Sequence, residues 1–168
     1  MFIEEFERLK KKFDGKLNTE EITYTLDNGG KDFSTKLYLE IPYKNKKICI
    51  WNRTNSGVGR INIDFEKQKE SLEFHMHTRN HFISLFLRGN RFKFSKTTPN
   101  ISSFFRNSKS FRELKRIADK TAFEPTIFGK HKDNKYSLTI EYSLLFENKT
   151  KALEPIILFC REFIDEFN

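Results

Sequence analysis

The chain has 168 residues and a net charge of +8, with 37% hydrophobic residues, 32% charged residues and 19 phenylalanines. This composition excludes a disordered chain and suits one domain, residues 1–168, with a phenylalanine-filled core that needs no disulfide or metal staple. No apolar stretch approaches the roughly 20 residues that span a bilayer, and the start, Met1-Phe2-Ile3-Glu4-Glu5, lacks the basic-then-apolar order of a secretory leader.

Phe2, Phe6, Leu9 and Phe13 recur at helical spacing, so residues 2–13 are expected to form an amphipathic helix that Asp14-Gly15 stops. The period then changes to two. Ile22, Tyr24 and Leu26 alternate with polar residues up to the turn signal Asp27-Asn28-Gly29-Gly30. A long strand follows with Phe33, Thr35, Leu37, Leu39 and Ile41 on one face, then strands at Ile48–Trp51, around Ile61, Ile63 and Phe65, and around Leu72, Phe74 and Met76. Gly57-Val58-Gly59 belongs to a hairpin turn, being too short and too far from any helix start to cradle phosphate. Residues 81–87 are apolar on both faces, the pattern of a central strand, and Arg88-Gly89-Asn90-Arg91 turns the chain into a strand at Phe92–Lys96.

Pro99-Asn100 opens a helical stretch, and Ser110 with Glu113 has the spacing of a capping box for a helix at 111–120. Residues 126–129 and 136–146 form a hairpin around Asp133-Asn134, with Tyr136, Leu138, Ile140 and Tyr142 on one face. Leu153, Ile156, Ile157, Cys160, Phe163, Ile164 and Phe167 outline a closing helix in which Pro155 is tolerated in the first turn. The expected fold is therefore α+β, an antiparallel meander of about six consecutive strands plus a C-terminal β-hairpin. It packs against N-terminal, middle and C-terminal helices, since short connections force antiparallel pairing.

Charge is distributed unevenly along this plan. Eleven of the 31 basic residues but only two of the 23 acidic ones, Glu113 and Asp119, fall between Arg79 and Lys120. The segment carries +9 while the rest of the chain is close to neutral. At 100° per residue Arg112, Arg116 and Lys120 form a stripe opposite Phe111, Leu114 and Ala118. Arg88, Arg91, Lys93, Arg106, Lys109, Arg112, Lys115, Arg116 and Lys120 are the candidate partner-binding residues. Clustered cations that neutralise phosphates release counterions and so bind nucleic acid without reading its sequence; the same field attracts anionic lipid headgroups or an acidic protein.

His75 and His77 lie two apart on a strand, the spacing of two imidazole ligands to one metal, with Glu73 on the same face or His81 as a further ligand, although Arg79 would repel a cation there. Cys49 and Cys160 lie in apolar surroundings, which suits inert, buried thiols in a cytoplasmic setting and offers no nucleophile. No glycine elbow, finger spacing or carboxylate pair marks a catalytic centre, and no cofactor is called for. The expectation is a non-enzymatic intracellular binding protein that engages an anionic partner, an acidic protein or nucleic acid. A metal-dependent enzyme built on His75 and His77, and an apolar-ligand domain lined by phenylalanine, are the alternatives.

Overall fold

The computed structural model describes residues 2–54, 58–66, 72–86, 89–132, 134–143 and 149–168. Helix α1, Phe2–Phe13, buries Phe6, Leu9 and Phe13 along one stripe. It ends where Asp14 takes a left-handed φ of 53° and the Gly15 N–H donates to Lys10 O. Eight strands follow in the sheet: β1 Lys16–Thr25, β2 Lys31–Tyr43, β3 Lys46–Arg53, β4 Val58–Glu66, β5 Phe74–Thr78, β6 Phe92–Lys96, β7 Thr126–Lys132 and β8 Lys135–Ser143. The remaining α-helices among the described residues are α2 His81–Phe86, α3 Pro99–Asn107, α4 Lys109–Lys120 and α5 Leu153–Phe167, the last preceded by a short 3₁₀ turn at Lys149–Ala152.

The class is α+β and every strand pair is antiparallel, as the alternation and short connections predict. The order is not consecutive, however. It runs β1-β2-β3-β4-β8-β7-β5-β6, so the C-terminal hairpin is inserted into the meander rather than added at its edge. β8 pairs with β4 over nine positions, Val58↔Ser143 to Glu66↔Lys135, and sets Ile61 opposite Ile140 and Ile63 opposite Leu138. That long apolar register outcompetes the five-residue β5, which takes β7 as its neighbour instead.

Leu37, Leu39, Ile61, Ile63, Leu72, Phe74 and Met76 are buried as expected. Phe33 is not: it is 64% exposed, because β1 and β2 continue past the end of β3, where Lys36 meets Arg53, and carry Phe33 beyond the core. Residues 81–86 are also a correction, forming a helix in the β5–β6 connection rather than a strand. Asn80 starts that helix, its Oδ1 accepting from the N–H groups of Phe82 (3.0 Å) and Ile83 (3.4 Å). An apolar run this short has no period of its own to separate helix from strand. The expected turn at 55–57 and the far end of the last strand, 144–146, lie outside the described residues.

One face of the sheet carries the helices. Phe163 of α5 meets Phe65, Phe74 and Tyr136 at ring-centroid distances of 5.9, 6.1 and 6.4 Å. Phe105 of α3 meets Phe74 and Phe94 at 5.4 and 5.1 Å. These aromatic rings belong to one continuous hydrophobic core. The opposite sheet face presents Tyr38 against Trp51 at 4.2 Å, with Trp51 49% exposed. No described helix is long and apolar enough to cross a membrane.

Candidate anion-binding surface

Helix α4 begins two residues earlier than its sequence suggests. Ser108, not Ser110, caps it, its Oγ accepting from Phe111 N at 2.9 Å. Ser110 and Glu113 therefore do not form a capping box. Ser110 turns to α5, where Glu162 accepts from Ser110 N (3.1 Å), Ser110 Oγ (2.7 Å) and Ser108 Oγ (2.5 Å). A carboxylate at a helix N-terminus complements the unpaired N–H groups and the positive end of the helix dipole. This lock fixes the rotation of α4 about its axis.

With that rotation, Ser110, Phe111, Leu114 and Ala118 are buried, while Lys109, Arg112, Arg116 and Lys120 are exposed and Lys115 is half-buried. Arg106, near the end of α3, is also exposed and precedes this surface by a single junction at Ser108. Arg116 spends part of its charge on Glu113, which it grips at 2.9 and 2.7 Å, holding that carboxyl below the usual range and its own guanidinium above. Arg112 donates to Asn107 O at 3.2 Å. Among the described residues no carboxylate pairs with Arg106, Lys109, Lys115 or Lys120.

Two of the nine predicted partner-binding residues, Arg91 and Lys93, do not join this surface. Arg88 lies outside the described residues. Arg91 is 4% exposed and serves the fold. Its guanidinium donates to Arg79 O at 3.2 and 3.1 Å, to Thr121 O at 3.2 Å and to Ala118 O, and it faces Glu124 Oε1 at 3.4 Å. Those carbonyls include the C-terminal end of α4, where a cation is favoured, and burial pulls the Arg91 pKa down from its ordinary value. The turn before β6 holds Arg91 as its sequence suggests, but the guanidinium is directed inward to those carbonyls rather than to a surface. Lys93 is exposed, but the sheet separates it from α4. Phe92 and Phe94 face the helices, at 5.0 Å from Phe111 and 5.1 Å from Phe105, so Lys93 points to the opposite face.

The histidines occupy that opposite face. His75 and His77 are both exposed on β5 with ring centroids 6.3 Å apart, and His75 Nδ1 lies 3.0 Å from Ser95 Oγ. Glu73, the expected third ligand, is engaged by Lys96 and by His131 N, and the Lys96 ammonium holds its carboxyl below the usual range. No group of three or more His, Cys, Asp or Glu side chains that could hold a metal ion occurs among the described residues. Cys160 is buried and its thiol is pushed up by desolvation, whereas Cys49 accepts a hydrogen bond from Tyr38 Oη at 3.3 Å.

A surface groove of about 830 Å³ lies at the end of the sheet where β3, β4 and β8 meet, with Trp51, Arg53, Arg60, Glu124 and Glu141 in its wall. Its charges are largely matched, Arg60 pairing with Glu141 at 2.5 Å and Glu124 with Arg91. The end of α3 and α4 carry six cations against Glu113 and Asp119. No family model matches the chain, and no curated protein or solved structure is significantly similar to it.

Proposed function

We propose that this protein is a non-enzymatic binding domain whose α4 face engages an anionic macromolecule, an acidic protein or a nucleic acid. The observation that supports this most directly is the orientation of α4. Its apolar stripe is docked and its N-terminus is locked by Glu162, so five cations face or border solvent against only Glu113 and Asp119. Such a surface needs no deep pocket, because phosphate or carboxylate recognition by a field of cations works on a convex helix. The unpaired state of both cysteines suits a reducing, cytoplasmic setting.

The test is titration of the protein with duplex DNA, single-stranded DNA and RNA at low salt, alongside capture of acidic proteins. Arg112→Glu with Lys109→Glu should weaken whichever interaction is found by about two orders of magnitude or more, with Lys44→Glu and Lys46→Glu, outside the basic segment, as the control pair. An interaction indifferent to the α4 reversals overturns the reading, and loss by both pairs alike marks a non-specific charge effect.

A further inference from the structure

The register puts three hairpin connections at one end of the sheet. Thr25↔Lys31, Asn52↔Gly59 and Thr78↔Phe92 close the β1–β2, β3–β4 and β5–β6 turns, and the pairings that link them run through Lys36↔Arg53, Val58↔Ser143, Thr126↔Glu141 and Met76↔Ile127. Exposed large apolar side chains gather there. Leu26 (42%) and Phe33 (64%) belong to the first hairpin, Val58 (55%) to the second, and Phe82 (69%), Ile83 (52%) and Phe86 (87%) to α2 in the third. At the opposite end, where β2–β3 and β7–β8 turn, no large apolar residue is exposed among the described residues.

An isolated exposed apolar residue needs no explanation, but two nearly bare phenylalanines and an isoleucine on one six-residue helix do. α2 is also held in place. Glu124 accepts from His81 N at 2.5 Å, and Arg91 ties the loop base at Arg79 to the end of α4. The fold thus stabilises the stem of a connection that displays its apolar side chains outward.

We infer that this end of the sheet docks on an anionic lipid surface, with Phe82, Ile83 and Phe86 entering the headgroup–acyl boundary. Two features favour lipid over a protein partner. The first is spacing: β1–β2 and β5–β6 are the two flanks of an eight-stranded sheet, separated by roughly 30 Å at about 4.8 Å per strand. Apolar points so far apart make a poor protein hot spot, which is contiguous and central, whereas a bilayer accepts each of them independently. The second is charge. No Asp or Glu occurs between Glu73 and Glu113, and the carboxylate nearest the loop base, Glu124, is taken up by Arg91 and His81 N. The helix therefore approaches anionic headgroups without repulsion from its own flanks, while Asp27 and Asp32 lie on the far flank.

This inference is independent of the α4 reading, and one experiment separates them. Sedimentation with vesicles of phosphatidylcholine alone, and of phosphatidylcholine mixed with phosphatidylserine, should capture the protein on the mixed vesicles. Phe82→Ser with Phe86→Ser should lower that partition by about tenfold per residue, while leaving circular dichroism and any nucleic-acid or protein binding unchanged. Ile3→Ser, an exposed apolar residue on α1 and outside these three hairpins, should have no effect. In a Trp51→Phe background, Phe86→Trp should shift its emission to the blue when mixed vesicles are added. Absence of vesicle binding, or binding unaffected by the double Phe substitution, overturns the inference. So does loss of macromolecular binding in that double variant without any vesicle capture, which would make the loop a protein or nucleic-acid contact.

Discussion

Arg91 is the residue whose role changes most between its sequence context and its place in the fold. As one of eleven cations in a basic segment it looks like surface charge; folded, it is the tie between the β5–β6 stem, the end of α4 and the approach to β7. Arg91→Met should destabilise the protein by about 3 kcal/mol in urea denaturation, since three carbonyls and Glu124 lose their donor in a buried setting. Arg91→Lys should recover only part of that, because an ammonium on a flexible stem cannot reproduce the planar fork. Gly129 makes a second prediction at this scale. A Cβ there would fall on the Tyr136 hydroxyl and lie 2.8 Å from Phe74 Cε1, in a buried corner where that hydroxyl donates to Leu72 O at 3.0 Å. Gly129→Ala should cost about 2 kcal/mol by thermal or urea unfolding, whereas Gly30→Ala, on the exposed β1–β2 turn, should cost far less.

Between elements, polar contacts decide how the helices sit on the sheet and on each other. Glu154 on α5 accepts from Arg8 at 2.9 Å and from Lys12, both on α1, and these cations hold its carboxyl below the usual glutamate range. A carboxylate whose folded pKa is depressed adds stability above its unfolded pKa and loses it as pH falls through the folded value. Glu154→Gln should therefore cost about 0.5–1 kcal/mol at neutral pH, a modest amount because both cations are half-exposed. The gap between the two proteins should narrow as pH falls through and below the usual glutamate range, measured by urea midpoints across the range. A gap that stays constant would mean that packing, not charge, is what the substitution disturbs. The α4–α5 junction carries the corresponding prediction. Ser108→Ala removes both the cap on Phe111 N and a donor to Glu162, and should cost about 1–2 kcal/mol while raising the mobility of α4 seen in amide exchange.

For the whole molecule, charge and apolar exposure are segregated. The cations of α4 lie on the helix layer, His75, His77 and Lys93 on the open sheet face, and six of the nine exposed large apolar residues among those described at one end of the sheet. Binding of an anionic macromolecule to α4 should weaken steeply with salt, and each of Lys109 and Arg112 removed should lower the log–log slope by about one if it contacts a phosphate. The slope is read from titrations at several salt concentrations; one unchanged by both substitutions would move the contact off α4.

Periodicity alone determined the elements that bury one regular face. α1, the alternating strands, the C-terminal hairpin and α5 were legible because a period of 3.6 or 2 repeats along them, and burial of the marked face is enforced by the hydrophobic effect. The uneven charge and the outward stripe of Arg112, Arg116 and Lys120 were legible for the same reason, since α4 is long enough to fix which residues share a face. Strand order was not: β5 and β8 both offer an alternating apolar face to the edge of β4, and only the sum of contacts over the whole register chooses between them. Nor was the identity of 81–86 as a helix, whose six residues carry no decisive period and whose start depends on a side chain of Asn80. The burial of Arg91 and the exposure of Phe33 belong to tertiary structure too. A cation is buried only where several carbonyls converge on it, and an aromatic ring is left bare only where a strand outruns the layer that would cover it; neither condition is local in the chain.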